Sequence, residues 1–320
     1  MILVIGEALI DMIQNQSEPE KFTAVAGGAN ANVAFALARR EQPHQFLGRI
    51  SNDLFGKQIR KHLADNKVSL DLSISAEEQS TLAFASIDEQ GVADYSFYVD
   101  NTADWMWRAE ELPTTDSMAE MDARAIQFGC LTTAMAPGNK LIETWLAEIF
   151  DSEQLTLSHD LNMRPALGHD ADSERERVEK LNRISTIIKA SDADIEWLYP
   201  DRDFDEVAKE WMGGLSKLVV ITKGAEGATL FRGQDRVDVP GLKIDLEDTV
   251  GAGDTFMANL LVELESLEGL GEQPLKRIER LDIEDIEKAV KIAVVASAIA
   301  CEREGCQPPT LREIEQKLEQ

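Results

Sequence analysis

Three cysteines, Cys130, Cys301 and Cys306, are all that the 320 residues contain. Their spacing fits neither a metal-ligand pair nor an even disulfide set, so they read as buried or indifferent thiols of a reducing cytosol. Basic charge is scarce as well: 32 Lys and Arg stand against 59 Asp and Glu, a formal net charge of −27. Binding to nucleic acid or to an anionic membrane needs a basic surface that releases counterions or complements headgroups, and this surface repels both. A polyanion can be accommodated only if it is small and locally cradled. No hydrophobic run approaches the ~18 residues of a membrane helix. Ile2-Leu3-Val4-Ile5 is too short for the apolar core of a secretory signal and lacks a basic flank, so a cytoplasmic protein is the expectation. No internal repeat, low-complexity tract or proline-rich linker divides the chain. Two nucleotide signatures are missing too. No Gly-x-Gly-x-x-Gly follows the first strand-like run, and no Gly-x-x-x-x-Gly-Lys-Ser/Thr occurs anywhere, which removes dinucleotide-dependent oxidoreductases and P-loop kinases.

What is present is the make-up of a folded chain with a large core: 43% hydrophobic and 28% charged residues, too apolar for disorder even at this charge. The length suits one large α/β domain with a modest appendage, or two small domains. Short β-rich runs at 2–6, 46–50, 125–129, 156–162 and 218–222 alternate with helical patterns at 30–40, 141–150 and 174–188. Such alternation is what a parallel sheet with right-handed crossovers requires, so the expected body is a three-layer α/β/α domain around a mainly parallel sheet. One stretch breaks the pattern. Residues 81–87 and 94–99 have period-two character, are joined by the turn-rich Asp88-Glu89-Gln90-Gly91, and have no helix between them. They predict an antiparallel hairpin standing off the domain as a small β lid; an edge ribbon of the main sheet is the competing arrangement. Acidic stretches near 200–210 and 262–290 read as solvated helix faces and loops.

The sharpest local signal is Asp248-Thr249-Val250-Gly251-Ala252-Gly253-Asp254-Thr255-Phe256, directly before a helical pattern in which Phe256, Met257, Leu260, Leu261 and Leu264 share a face. Its glycines let the chain turn tightly and leave the Gly251, Ala252 and Gly253 amides bare at the positive end of the following helix, which makes an anion cradle. Asp254 then sets a carboxylate beside a site built for negative charge. That is a poor choice for binding phosphate alone and a good one for accepting a proton from an alcohol that attacks phosphorus. The alternative is that Asp254 caps its helix and the glycines form an ordinary turn. A second pair, in Ala26-Gly27-Gly28-Ala29-Asn30-Ala31-Asn32, opens a helix after the first strand, and Asn32 offers both donor and acceptor to hydroxyls. Close helix-to-sheet packing explains those glycines equally, but not two asparagines in one turn. Asp11 ends Gly6-Glu7-Ala8-Leu9-Ile10-Asp11 beyond the first strand, where loops of parallel sheets line the ligand crevice. Asp160-Leu161-Asn162-Met163-Arg164 follows another strand; Arg164 suits a transferred phosphate or a surface salt bridge. Thr222-Lys223-Gly224-Ala225-Glu226-Gly227 either exposes backbone to a nucleotide or turns a plain hairpin into 228–231.

The two glycine motifs, Gly27-Gly28 with Asn32 and residues 248–254, together resemble the paired signatures of the PfkB, or ribokinase-like, family of sugar and nucleoside kinases. The likeness runs from Gly6-Glu7-Ala8 to Gly305-Cys306-Gln307-Pro308-Pro309. It implies a single ribokinase-like kinase domain over 1–320, a lid inserted at about 81–99 with a contribution from about 11–25, and magnesium-dependent transfer of the ATP γ-phosphoryl group to a sugar hydroxymethyl. By the same carry-over Asp254 is the catalytic base, and the Gly251, Ala252 and Gly253 amides are the anion hole. Asp11, Gly27, Gly28, Asn32, Phe97 and Arg164 face the sugar or the phosphate in flight, and Thr222, Gly224 and Gly227 contact ATP. Asp248, with carbonyls near Gly305, matches the family's monovalent-cation site and implies potassium.

Two departures from the family pattern stand out. Its Asn-x-x-Glu motif falls on Ser191-Asp192-Ala193-Asp194, so Asp194 is expected to reach magnesium through water. Asn259 occupies a position that is usually small. Within the family, Thr81-Leu82-Ala83-Phe84, Phe97-Tyr98, Ala103-Asp104 and residues 160–165 look most like bacterial fructokinases, which makes fructose the expected sugar. Ribose, 2-keto-3-deoxygluconate and a nucleoside are the alternatives. A sugar-binding module without turnover is the non-enzyme reading, opposed by an intact Asp254 beside intact glycines. Trp105 and Trp107 suit either a wall against the sugar or lid core. The implied partners are a small sugar and ATP, not nucleic acid or membrane; the apolar lid, with Leu82 and Phe84 against Phe97, suits either a homodimer or closure over the chain's own sugar.

Overall fold

A computed structural model describes residues 1–15, 17–87, 93–215 and 217–319. The first strand sets the frame. In β1 (Ile2–Ile5) the residues alternate between two cores: Ile2 and Val4 on one side, Leu3 and Ile5 on the other. A strand apolar on both faces belongs inside a layered sheet. β1 lies between β4 (His44–Leu47) and β9 (Ala125–Gly129), and beyond β9 come β10 (Thr156–Asp160), β11 (Ile187–Ser191) and β12 (Leu218–Thr222), all parallel. β13 (Gly227–Arg232) and β14 (Asp235–Pro240) close the eight-stranded sheet antiparallel at one edge. α1 (Ala29–Arg39), α9 (Ala252–Ser266), α10 (Pro274–Arg280) and α11 (Ile283–Cys301) pack on the Ile2 side, with α12 (Leu311–Leu318) outside α11. α3 (Thr115–Glu120), α5 (Gly138–Ser152), α6 (Ala171–Ile184), α7 (Asp192–Leu198) and α8 (Phe204–Met212) cover the Leu3 side. This is the expected three-layer arrangement.

Two expected elements differ. The run 46–50 is not one strand. It breaks at Gly48 into β4, in the main sheet, and β5 (Arg49–Ser51), which pairs with β6 (Ile74–Ala76). The amphipathic pattern 174–188 ends as a helix at Ile184, and Ile187–Ser191 is the central strand β11.

The lid is a four-stranded sheet in the order β3 (Phe22–Gly27), β2 (Leu9–Gln14), β7 (Leu82–Ile87), β8 (Ala93–Tyr98). β7 pairs antiparallel with β8, and β2 pairs antiparallel with β3. The predicted turn at 88–91 lies outside the described residues. Leu9, Ala83 and Phe97 turn inward onto Trp105, Cys130 and Leu131, where α4 (Cys130–Ala134) begins. α2 (Leu54–Asp65) lies behind the lid, and Gln58 Nε2 donates to the Ala24 carbonyl at 2.8 Å. The lid is therefore a separate sheet over the ends of the parallel strands, not a ribbon on the main one.

Candidate active site

α9 begins where the backbone is fastened from two sides. Asp248 Oδ1 accepts the Val250 amide at 3.0 Å and Oδ2 the Gly305 amide at 2.8 Å, while the Glu247 and Asp248 amides donate to the Cys301 carbonyl. The chain reaches the helix through Gly251 at φ 73°, a left-handed conformation costly for any other residue; a side chain there would also meet Cys306 Sγ. Among the described residues the Gly253 and Asp254 amides donate to no protein acceptor, so they stand free at the positive end of a helix running Ala252–Ser266. The Asp254 carboxylate does not cap its own helix. Asn32 Nδ2 donates to Oδ2 at 2.9 Å and Asn162 Nδ2 to Oδ1 at 3.3 Å. Burial is the main reason its pKa is pushed up to about 7; the Asn32 hydrogen bond opposes the rise, the Asp160 charge adds to it, and Lys189 and Arg164 oppose it.

Opposite, α1 starts at Gly28, whose φ of 107° and closeness to the Glu7 carbonyl exclude a side chain. The two asparagines of its first turn divide their work. Asn30 is buried and structural: its Nδ2 donates to Glu7 Oε2 at 3.1 Å and to the Gly129 carbonyl at 3.2 Å. Asn32 points to Asp254. Gly27 explains Asp11, because a Cβ on Gly27 would lie 2.4 Å from Asp11 Oδ2; the carboxylate lies across the neighbouring strand. Burial pushes Asp11 up to about 6, and the Arg164 charge opposes it. Arg164 is exposed, donates through Nη1 to Asn162 Oδ1 at 2.6 Å and to the Met163 carbonyl at 3.1 Å, and its charge opposes the rise of both Asp11 and Asp254. The tryptophans separate: Trp105 lies beneath the lid with Phe97, whereas Trp107 belongs to the main core.

The residues expected at the nucleotide are less concentrated. Thr222 ends β12, and residues 224–226 form a tight turn into the antiparallel β13, so the hairpin reading of this segment describes the backbone. Gly224 is exposed with open space around its Cα, whereas Gly227 is required by packing, since a Cβ there would meet the Val239 carbonyl at 2.1 Å. Asp194 is buried. Its Oδ1 accepts the Met163 amide and its Oδ2 the Ser191 amide, both at 2.8 Å, and Ser191 Oγ accepts the Asp194 amide in return. This capping box on α7 ties the Asn162–Arg164 loop to the sheet. Among the described residues no three His, Cys, Asp or Glu side chains gather as a metal cage.

A sequence description of the pfkB family of carbohydrate kinases matches residues 1–313. The chain belongs to this family. It is 35% identical over 266 residues to the fructokinase of Rhizobium leguminosarum bv. trifolii, covering 82% of this chain and 79% of that one. A crystal structure of fructokinase with bound ATP from Xylella fastidiosa superposes with a TM-score of 0.89 at 26% identity, covering 99% of this chain and 98% of that one. The fructokinase of Vibrio cholerae O395 in its fructose, ADP and calcium ion bound form shares the fold, with a TM-score of 0.81 at 22% identity over 99% of this chain and 98% of that one. The pfkB kinase described here is a sugar kinase, a phosphotransferase acting on an alcohol group, with the ribokinase-like fold.

Sequence reasoning passed over several residues that build this kinase's site. Glu7, wholly buried, accepts from Asn30 and from Thr132 Oγ1 at 2.6 Å, joining β1, α1 and α4. Asp104 accepts the Ala8 amide at 2.8 Å and Thr81 Oγ1 at 2.5 Å, fastening the lid's base; burial pushes it up to about 7. Lys189 forms a buried ion pair with Asp160, with Nζ 3.0 and 2.8 Å from the two carboxylate oxygens. A charged residue inside an apolar strand was the available signal for Lys189. Glu7 and Asp104 stood inside runs matched to the family, but no role of their own was legible, since their partners lie far along the chain.

Proposed function

We propose that this pfkB kinase transfers the γ-phosphoryl group of ATP to a hydroxymethyl oxygen of fructose, in the cytoplasm. One observation carries the reading. A buried carboxylate, Asp254, stands at the mouth of a helix where the Gly253 and Asp254 amides are free, held between two asparagines and under the charge of Arg164. Asp11 and Asn32 bind sugar hydroxyls, Gly27 and Gly28 let the ring approach the backbone, and Phe97 with Trp105 walls the pocket under the lid. Closure keeps water from accepting the phosphoryl group. As the sugar oxygen forms its bond to the γ-phosphorus, Asp254 takes the hydroxyl proton and the bond from phosphorus to the ADP oxygen breaks. The free Gly253 and Asp254 amides, with Arg164, balance charge on the moving group; the Ala252 amide, expected among them from the sequence, instead donates to the Thr249 carbonyl at 3.2 Å.

Thr222, Gly224 and Gly227 border the nucleotide in this reading. Magnesium, when bound with the triphosphate, neutralises phosphate charge. The donor set fits that ion only at one remove, since both Asp194 oxygens already accept amides and Asp160 is neutralised by Lys189. Asp248, already bracing the anion loop, is the residue that suits a potassium ion there. The names of the relatives favour fructose over ribose, 2-keto-3-deoxygluconate or a nucleoside. On the lid's outer face Phe22, Phe84 and Tyr98 form an aromatic cluster with neighbouring ring centroids 5.3 and 5.2 Å apart, and Tyr98 is 62% exposed. It supports a homodimer through the lid, which light scattering of the wild type and Tyr98→Glu checks.

The deciding experiment is ADP release measured over fructose, ribose, 2-keto-3-deoxygluconate, adenosine and glucose, with and without magnesium and potassium. Fructose should give the highest kcat/KM. Turnover of another sugar alone corrects the substrate, and stoichiometric sugar binding without ADP release refutes the kinase reaction.

A further inference from the structure

Lys189 is the least economical residue of the main sheet. It lies on β11 between Ile188 and Ala190, is 4% exposed, and is neutralised by a single carboxylate, Asp160 on β10. An apolar pair of similar size would fill such a place at lower desolvation cost, so a buried ion pair is weak evidence for stability alone. Its position gives it another use. A Cβ built on Gly253 would lie 2.9 Å from Lys189 Nζ. The ammonium therefore sits against the first turn of α9, behind the free amides of Gly253 and Asp254, and the absence of a side chain at Gly253 is what admits it. Asp160, then Asp194 and Asp254, hold Lys189 protonated against the effect of burial.

We infer that Lys189 is a positioning residue for phosphoryl transfer, a fixed positive charge beneath the anion hole that Asp160 holds in place. It adds to the positive end of the α9 dipole where negative charge accumulates on the transferred group. It touches neither sugar nor nucleotide, and acts through the Gly253 and Asp254 turn. The inference rests on the kinase reaction proposed above and assigns that reaction an electrostatic support.

The test separates binding from transfer. Lys189→Met alone leaves Asp160 as an unpaired buried charge and is prone to unfold. The companion Asp160→Asn/Lys189→Met leaves neither member of the pair charged, and its fold is checked by circular dichroism and a cooperative melt. In the double variant kcat should fall ~10-fold or more, with KM for fructose and for ATP within about twofold of wild type. Calorimetry with ADP, magnesium, fluoroaluminate and fructose, which together mimic the transferring group, should show the same ~10-fold loss, while ADP alone binds as before. Equal weakening of ADP, fructose and the mimic would show a merely structural pair and overturn the inference, as would wild-type affinity for the mimic. A wild type that releases no ADP with fructose overturns the substrate reading instead, and the mimic comparison with ADP still reports on Lys189.

Discussion

Asp254 can accept a proton only when ionised, and burial opposes ionisation by pushing its pKa up to about 7. The kinase should therefore lose kcat as pH falls through about 7, with the slope of a single proton, in initial rates at saturating sugar and ATP. Asp254→Asn removes the acceptor and should lower kcat ~100-fold or more with sugar KM little changed. The same substitution should stabilise the fold. A carboxyl whose pKa is raised on folding costs nothing below its unfolded value near 3.8 and its full penalty above about 7. Asn carries no such penalty, so Asp254→Asn should melt higher than wild type at pH 8, and the gain should vanish toward pH 4. Under the proposed reaction, catalysis and stability thus pull this residue in opposite directions.

At the scale of elements, what sequence pattern revealed depended on whether partners were local. β12 and β9 were legible because Leu-Val-Val-Ile-Thr and Ala-Ile-Gln-Phe-Gly are short apolar runs bounded by turn residues. β11 was not, because Lys189 interrupts its apolar run and a highly charged helix precedes it; only the pairing with Asp160 makes that lysine tolerable. The start of α9 was legible in its glycines, yet the direction of the Asp254 side chain was not, since Asn32 and Asn162 come from other elements. Asn259 shows the same limit. In sequence it is a departure; in the fold its Oδ1 accepts from Arg40 Nη1, its Nδ2 donates to the Thr255 carbonyl at 2.9 Å, and Arg40 Nη2 reaches Glu263 at 2.7 Å. This cluster joins the end of α1 to α9, the two helices whose starts carry Asn32 and Asp254. Asn259→Ala strips the nearly buried Arg40 of one acceptor and should cost about 1–3 kcal/mol in denaturant unfolding.

For the whole molecule, the net charge of −27 and the acid-rich site bear on stability together. An excess of like charge destabilises the compact state, and salt screens it over a Debye length of about 10 Å at 0.1 M. Melting temperature should accordingly rise on going from low salt to a few tenths molar sodium chloride. Acidification should act in the same direction at first. Asp11, Asp104 and Asp254 have pKa values pushed by burial to about 6, 7 and 7, so between pH 8 and about 5 the folded state takes up protons that the unfolded state does not. Stability tied to these groups is complete below their unfolded value of 3.8 and lost as pH rises through their folded ones. His159 works against them: stacked on Phe128 and depressed by burial to about 3, it favours the fold less and less as pH drops below 6.5. His44, His62 and the Met1 ammonium, all lowered by burial, oppose the carboxyls in the same way as His159, so calorimetric scans at fixed ionic strength should show the three carboxyls as a melting temperature that rises from pH 8 to pH 6 along a slope reduced by these bases. The triple variant Asp11→Asn/Asp104→Asn/Asp254→Asn should flatten most of that slope; an unchanged slope would assign it to surface charge instead of to the three buried carboxyls.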